Sequence, residues 1–260
     1  MIPALFTAST GMIANQMYVD TISNNIANVN TNGFKKNRVD FQDLLYQQIR
    51  PAGAEFVAGS TVPTGIEIGM GVKPTSVAKV FKQGDLVNTG NQLDLAIEGA
   101  GFFQVTMPDG TTSYSRDGAI KLDSNGEFVT SDGFKLSPSI AIPAGTVSIT
   151  VGNDGTVSVL DQAGASTNVG AMQLAMFANS QGLKAIGKNL FTETPASGAP
   201  TPETPGINGA GQISQSFLEL SNVQIVEEMV NLILAQRAYE MNSKAIRVGD
   251  DMLQTAAGLR

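Results

Sequence analysis

At 260 residues the chain is long enough for one large domain or two modest ones with a sizeable core. A net charge of −7 argues against nucleic acid as a partner and disfavours an anionic membrane surface. The absence of cysteine, histidine and tryptophan excludes disulfides, thiolate metal sites and every imidazole mechanism. Charged residues make up only 15% of the chain, against ~25% in typical soluble domains. Two readings fit that low value: part of the surface is covered by something other than water, or a β-rich domain draws its polarity from Ser, Thr, Asn and Gly.

The N-terminus, MIPALFTASTGMIANQMYVD, has neither a basic leader nor an uninterrupted apolar core, so no secretory signal is expected. No stretch reaches the ~18 apolar residues of a membrane span. From Ala4 to Asn30 the pattern predicts a helix roughly 40 Å long. Leu5, Met12, Val19 and Ile26 recur at heptad spacing, and Ala8, Ile22 and Val29 follow members of that series by three places. Asn15 interrupts the second row, a device that can fix register. The helix runs into SNNIANVNTNGFKK, where five asparagines (24, 25, 28, 30 and 32) crowd around Ile26 and Val29. Asparagine amides compete for backbone groups, so this is a poor composition for a helix end, and Asn32-Gly33 supplies a turn. The basic run Lys35-Lys36-Asn37-Arg38 reads as a solvated strand face or a contact for an acidic partner, the first being the more usual meaning. Phe34, Phe41 and Tyr46 read as packing residues, because an acidic chain makes a base-stacking platform a poor alternative.

From Arg50 to Lys73 the chain is rich in Gly and Pro, with few charges and little periodicity. A long β-rich region follows, a barrel or sandwich of antiparallel strands. Its turn signals are Pro108-Asp109-Gly110, Arg116-Asp117-Gly118, Ser124-Asn125-Gly126, Ser131-Asp132-Gly133 and Asn153-Asp154-Gly155. Val147, Ile149 and Val151 alternate with polar residues before the last of these, and Val157 and Val159 resume after it, which predicts a hairpin. Leu93–Ile97, Gly101–Thr106 and Glu127–Thr130 are further strands. PASGAPTPETPGINGAG, from Pro195 to Gly211, reads as a linker that does not pack.

The chain closes on a second heptad helix, which Ser221 or Asn222 can cap and which carries Glu227 and Glu228 near its positive end. Ile225, Leu232, Tyr239, Ile246 and Leu253 form an unbroken seven-residue series. The companion row, Met229, Gln236, Ser243, Asp250 and Ala257, turns polar, and Gly249 weakens the helix late in the pattern. Two readings of the seams stand side by side. Either the two helices pack against each other and the β domain within one chain, or they build a shared core with neighbouring chains.

Candidate chemistry is sparse. Gly69-Met70-Gly71 and Gly99-Ala100-Gly101 lack the continuation of a phosphate-cradling loop. Asp123-Ser124-Asn125-Gly126-Glu127 has its glycine too early for a calcium loop and no terminal bidentate Glu, so it reads as a β-turn. Asp94 and Glu98 lie near one another, but in a chain with 23 acidic residues that proximity carries little. No catalytic residue, cofactor or metal is expected.

The signature SNNIANVNTNGFKK (Ser23, Asn24, Asn25, Asn28, Asn30, Thr31, Asn32, Gly33, Phe34 and Lys35 within it) resembles the N-terminal signature of bacterial flagellar rod and hook proteins. SNVQIVEEMVNLILAQRAYEMNSKAIRVGDDML is similar to that family's C-terminal helix, and IEGAGFFQVTMPDGTTSYSRDGAIKLDSNGEFVTSDGF to its β domain. The resemblance covers nearly the whole chain, and three motifs in the right order make it specific. The modest length and the segment DLLYQQIRPAGAEFVAGSTVPTGIEIGMGVKPT resemble the distal-rod members; a proximal rod or short hook protein is the alternative within the family. Outside the family, the alternative is a secreted β-domain cell-wall enzyme with helical oligomerisation ends.

The resemblance implies a structural subunit, not an enzyme, that polymerises helically into a hollow, rigid drive shaft. The shaft would carry torque from motor to hook through periplasm and outer membrane and let exported subunits pass. Expected partners are further copies of the chain, proximal rod proteins, the hook protein, the periplasmic and outer-membrane ring proteins and the type III export apparatus. Export would leave the N-terminus uncleaved. The expected fold is α+β, with N- and C-terminal heptad helices forming a coiled-coil-like module that encloses the β domain. Its expected divisions are residues 1–34 (helix), 35–75 (extended linker with a rod-specific element at Glu55–Met70 that sets stiffness), 76–214 (β domain) and 215–260 (helix). The expected subunit-interface seam is Leu5, Met12, Val19, Ile26, Ile225, Leu232, Tyr239, Ile246 and Leu253. The asparagines are expected to bond to neighbouring subunits or face the channel, and the helices to order on assembly.

Overall fold

The computed structural model describes residues 2–53, 55–57, 60–61, 63–162 and 164–258. They form two compact units, one from the described residues of 1–27, 37–78 and 224–260, the other from 28–36 and 79–223. The fold is α+β, with a helix at each end of the chain and an antiparallel β-rich middle.

In the first unit α1 (Ile2–Ala27) and α2 (Ile225–Gly258) lie antiparallel. Leu5 meets Gly249, Gly11 meets Asn242, and the Asn25 amide reaches Glu228. The buried positions are Ala8, Ala14, Ile22 and Asn25 on α1 and Glu228 and Ala235 on α2, half of them alanine. Gly249, which weakens the helix by propensity, is where α2 approaches Leu5: a Cβ there would stand 2.6 Å from Leu5 Cδ2. The glycine is kept for closeness at the cost of helix propensity.

The helix limits differ from expectation for identifiable reasons. α1 stops at Ala27, not Asn30, because Asn25 turns its amide to the returning chain at Asn37. Ser221 and Asn222 do not cap α2. Ser221 Oγ accepts from Val223 N–H, Asn222 is engaged elsewhere, and the first helical bond runs from Glu228 N–H to Gln224 O. Glu227 and Glu228 do sit in the first turn, where the helix dipole favours negative charge.

Between the helices this unit carries a two-stranded arm. Asn37–Asp43 pairs with Val72–Lys79, Tyr46–Arg50 with Ile66–Gly69, and Glu55–Val57 with Ser60–Thr61. The Gly- and Pro-rich stretch from Arg50 to Lys73 is therefore largely strand. Its composition hides that because both faces of the arm are open, so no apolar alternation is needed. Of the expected stiffness element Glu55–Met70, residues 58, 59 and 62 lie outside the described residues.

The second unit is built on an antiparallel sheet around Phe102–Thr106, which pairs with Thr112–Ser115, Lys135–Ser137 and Leu174–Met176. Period-two alternation along that strand separates two cores. Phe103 enters one with Leu95, Ile97, Val157, Leu174 and Ile213; Phe102 enters the other with Tyr114, Leu183 and Phe191. In the second, Phe81, Phe177 and Phe191 meet Phe102 edge to face at centroid separations of 5.4–6.0 Å.

The expected hairpin forms between Thr146–Val151 and Thr156–Asp161, with Val151 opposite Val157 and Ile149 opposite Val159. Ser166–Ala171 adds a third strand. Gly110, Gly126, Gly133 and Gly155 take the positive φ their turns require. Gly118 does not: Arg116-Asp117-Gly118 is no hairpin turn, and its glycine is needed because a Cβ would collide with the Leu95 carbonyl. Residues 195–211 also depart from expectation. They pack, with Ser197, Pro205 and Ala210 buried and Thr201–Glu203 paired to Leu174–Met176. Proline at an edge position keeps a strand without needing both of its backbone bonds, which is why linker composition misleads here.

Candidate assembly surface

Several of the signature residues bond within the chain. In the second unit Lys35, expected on a solvated strand, is buried. Its ammonium donates to Glu219 Oε1 and to Lys82 O at 2.9 Å. Arg116, also buried, donates from Nε to Glu219 Oε2 at 3.0 Å and from its two terminal nitrogens to Gly101 O and Gly99 O. One carboxylate thus serves two cations, and backbone carbonyls take up the surplus positive charge. Burial holds the Lys35 amine below its ordinary pKa; Glu219 opposes that shift and Arg116 adds to it. Gly84 N–H donates to Glu219 Oε1, and Gly33 N–H to the Glu219 carbonyl. Gly33 has φ +68°, and a Cβ there would lie 2.8 Å from the Arg116 backbone, so this position admits glycine alone.

Asn222 completes the clasp. Its Oδ1 accepts from Lys36 N–H and its Nδ2 donates to Val80 O and Lys82 O. Three segments distant in sequence (33–36, 80–84 and 219–222) are thereby tied together. Phe34 packs under the Lys79 ammonium, 5.2 Å from the ring centroid, and burial lowers the Lys79 pKa. Asn28 accepts from Thr31 Oγ1, and the Asn32 carbonyl accepts from Asn189 Nδ2 at 3.3 Å. Ser23 and Asn30 are exposed.

In the first unit Asn25 makes the second clasp. Its Oδ1 accepts from Asn37 N–H and its Nδ2 donates to Asn37 O, both at 2.9 Å, with Glu228 Oε2 at 3.3 Å. Asn37 Nδ2 donates to Asn24 Oδ1. The expectation that these amides serve neighbouring subunits therefore fails for Asn25, whose donors and acceptor are spent inside the chain. Tyr18, on the same face of α1, has its phenol pKa raised by burial and then by Glu228 and Glu227. Sequence reasoning missed Glu219, and it gave Arg116 to a turn, Asn222 to a helix cap and Glu228 to the helix dipole without finding their ties. The lone charge inside the apolar run FLEL is the signal that could have found Glu219; nothing comparable marks Arg116.

Of the expected seam, Leu5, Met12, Val19, Ile26, Leu232 and Ile246 are half-buried, while Ile225, Tyr239 and Leu253 are exposed. The row centred on the helix pair is Glu228, Ala235, Asn242 and Gly249, three places further on. Larger apolar side chains point away from it. On α1 Phe6, Ile13 and Met17 form an exposed stripe. On α2 Val226, Met229, Val230, Ile233 and Leu234 are exposed, Val226 to 76%, and at ~100° per residue they cover nearly half the circumference. The opposite side faces α1 through Glu228 and Ala235, so on this part of α2 the broad apolar arc is the exposed one, the reverse of a helix that buries its apolar face within its own chain. Leu234 continues through Met241, Val248 and Met252 as a second exposed stripe.

Of the paired carboxylates, Asp94 accepts from Thr89 Oγ1 and Asn91 Nδ2, while Glu98 is exposed. Glu127, in the turn weighed as a calcium loop, pairs with Lys135 and accepts from Ser139 Oγ. Among the described residues no acidic cluster could hold a metal ion.

A helix pair with exposed apolar faces in the first unit and a β fold clasped by buried charges in the second are features of a structural subunit. A family model described as the flagellar hook protein FlgE/F/G D1 domain matches residues 96–159. The flagellar basal body rod FlgEFG protein C-terminal model matches 214–259, and the flagella basal body rod protein model matches 5–35. The flagellar basal-body rod protein FlgG of Buchnera aphidicola subsp. Schizaphis graminum is 46% identical over 260 residues, covering all of both chains. FlgG of Caulobacter vibrioides is 49% identical over 259 residues, 99% of each chain, and FlgG of Bacillus subtilis 39% over 267 residues, all of both chains. The chain belongs to the FlgG family of flagellar basal-body rod proteins. It is a structural subunit of the bacterial flagellar basal body.

Proposed function

We propose that the chain polymerises helically into the distal rod, a hollow and rigid shaft that carries torque to the hook and lets exported subunits pass. The exposed apolar faces of α1 and α2 carry this reading, since contiguous apolar surface of this extent marks a face that neighbours cover. The helices of 1–34 and 215–260 form the inner module and continue as coiled-coil-like contacts between subunits, in which Ile225, Tyr239 and Leu253 pair with neighbouring chains. The 76–214 domain forms the outer layer. The arm within 35–75 sets stiffness through Phe41, Leu45, Tyr46 and Ile49, which are exposed along it. Proximal rod proteins, hook protein, ring proteins and the type III export apparatus are its partners.

The test is a double substitution, Val230→Glu with Leu234→Glu, on the exposed half of α2. Two charges there leave the helix seam untouched, so the expected result is a folded monomer by circular dichroism that neither polymerises in vitro nor restores rods to cells lacking the native chain. Polymerisation at the wild-type concentration would overturn the reading.

A further inference from the structure

The chain holds ten methionines and no cysteine, so its thioethers are its only readily oxidised sulfur. They divide by place. Met172 is buried in the β core at 4% exposure, and Met12, Met70, Met107 and Met176 are half-buried. Among the described residues the exposed ones are Met17, Met229, Met241 and Met252, at 36, 52, 63 and 55%. All four stand on the terminal helices, and each belongs to an apolar face. Met17 extends the Phe6 and Ile13 stripe, Met229 lies one turn beyond Ile225, and Met241 and Met252 share a face with Leu234 and Val248. No exposed methionine falls on the described part of the β unit.

We propose that these four thioethers are an oxidation site of the unassembled subunit, and that their sulfoxides prevent assembly until they are reduced. The inference rests on the helix faces being the assembly surface. The oxidant is a small peroxide. The thioether sulfur attacks one peroxide oxygen, the O–O bond breaks, one oxygen stays on sulfur as the sulfoxide and the other leaves as water. Sulfur loses two electrons and the peroxide gains them. The product replaces a flexible apolar side chain by a polar one on a face that must lose its water. A methionine sulfoxide reductase with a thiol reductant returns the thioether. Once a neighbour covers these faces the sulfurs are shielded, so oxidation acts before assembly and not after it.

The experiment uses the full chain, dilute and monomeric, treated with hydrogen peroxide and mapped by peptide mass. Met17, Met229, Met241 and Met252 should each gain one oxygen at least about tenfold faster than Met172. The concentration needed for assembly should rise at least about tenfold, equivalent to about 1.4 kcal/mol, and reductase treatment should reverse it. The quadruple variant Met17→Leu, Met229→Leu, Met241→Leu, Met252→Leu should assemble untreated like the wild type and keep that ability after peroxide. Assembly of oxidised wild-type protein at its original concentration would overturn the proposal, as would equal loss in the quadruple variant. Should that variant fail to assemble untreated, reductase rescue of the wild type decides alone, and absence of rescue overturns it. Failure of the helix-face reading itself shows separately, as undisturbed assembly of the Val230→Glu, Leu234→Glu chain.

Discussion

Glu219→Gln is the sharpest perturbation of the second unit. The carboxylate is 1% exposed and accepts from Lys35, Arg116 and the Gly84 N–H. Glutamine keeps one oxygen and places an amide NH2 where the other stood, so a donor faces either the Lys35 ammonium or the Arg116 guanidinium. Neither cation can turn to water, being 0% and 4% exposed. Removing one partner of a buried pair costs ~3–5 kcal/mol, because the other charge stays behind uncompensated. That is a large part of the ~5–15 kcal/mol by which a domain is stable.

Urea denaturation of dilute monomer, followed by far-ultraviolet circular dichroism, should show a midpoint lowered by ~1–5 M at unchanged slope, given slopes of ~1–3 kcal/mol/M. Asp132→Asn is the control. It removes the exposed 3.7 Å pair with Lys188 and should shift stability by under ~1 kcal/mol. A Glu219→Gln chain as stable as that control would refute the clasp. Lys35→Met leaves Arg116 and Glu219 paired one to one and should cost less than Glu219→Gln. It also isolates a pH effect. Lys35 has a folded pKa below its unfolded value of ~10.4, so in the window between the two the unfolded chain binds the extra proton. Wild-type stability should therefore rise relative to Lys35→Met as the pH climbs through that window.

The other expectations concern local geometry. Gly249→Val should loosen the helix pair by ~1–3 kcal/mol through overpacking on Leu5, read as lost helicity and faster amide exchange in α1, whereas retained protection would show that the close approach is not needed. Asn25→Ala should cost ~1–3 kcal/mol, since it removes the side-chain partner of both backbone groups of Asn37 and a donor to the buried Glu228, and amide exchange at Asn37 should rise most. Asp109 and Asp154 each have the carboxyl held below its usual pKa by the Thr111 and Thr156 hydroxyls two residues on. That stability is present above the unfolded value of ~3.9 and is lost as pH falls through the folded one. Asp154→Asn should flatten the acid side of the unfolding curve, and carboxyl shifts in an NMR titration should give midpoints below ~3.9.

How much of this was legible in the sequence depended on how local its cause was. The two helices, the hairpin at 146–161 and four of the five glycine turns follow from periodicity and turn chemistry, which act within a few residues. Gly118 and Gly249 were misjudged because their reason lies in a distant partner, Leu95 in one case and Leu5 in the other. The same holds for Lys35. Nothing in a basic run says that a glutamate 184 positions away will bury it. Residues 195–211 deceived through composition, since proline and glycine report a backbone that is irregular, not one that is unpacked. Flagellar signature residues could be located by pattern, but their work as corner ties could not.

The helix pair shows why the row of bulky apolar residues and the row at its centre differ. A two-helix contact in one chain is closest when small residues meet, and Ala8, Gly11, Ala14, Ala235 and Gly249 supply them. Val226, Val230, Ile233, Leu234, Met241 and Val248 are then left outside. Fully burying such side chains is worth ~1.5–3 kcal/mol each, and these are about half exposed already, so covering all six yields roughly 5–9 kcal/mol. Association itself costs ~4–15 kcal/mol in lost freedom. On the proposed reading a single neighbour covering one face is therefore held weakly, whereas a growing end that offers several neighbours at once covers every stripe for one loss of freedom. Growth at that end is favoured where dimers are not, and a charge at Val230 and Leu234 should abolish polymer while leaving the monomer's stability within ~0.5 kcal/mol of wild type.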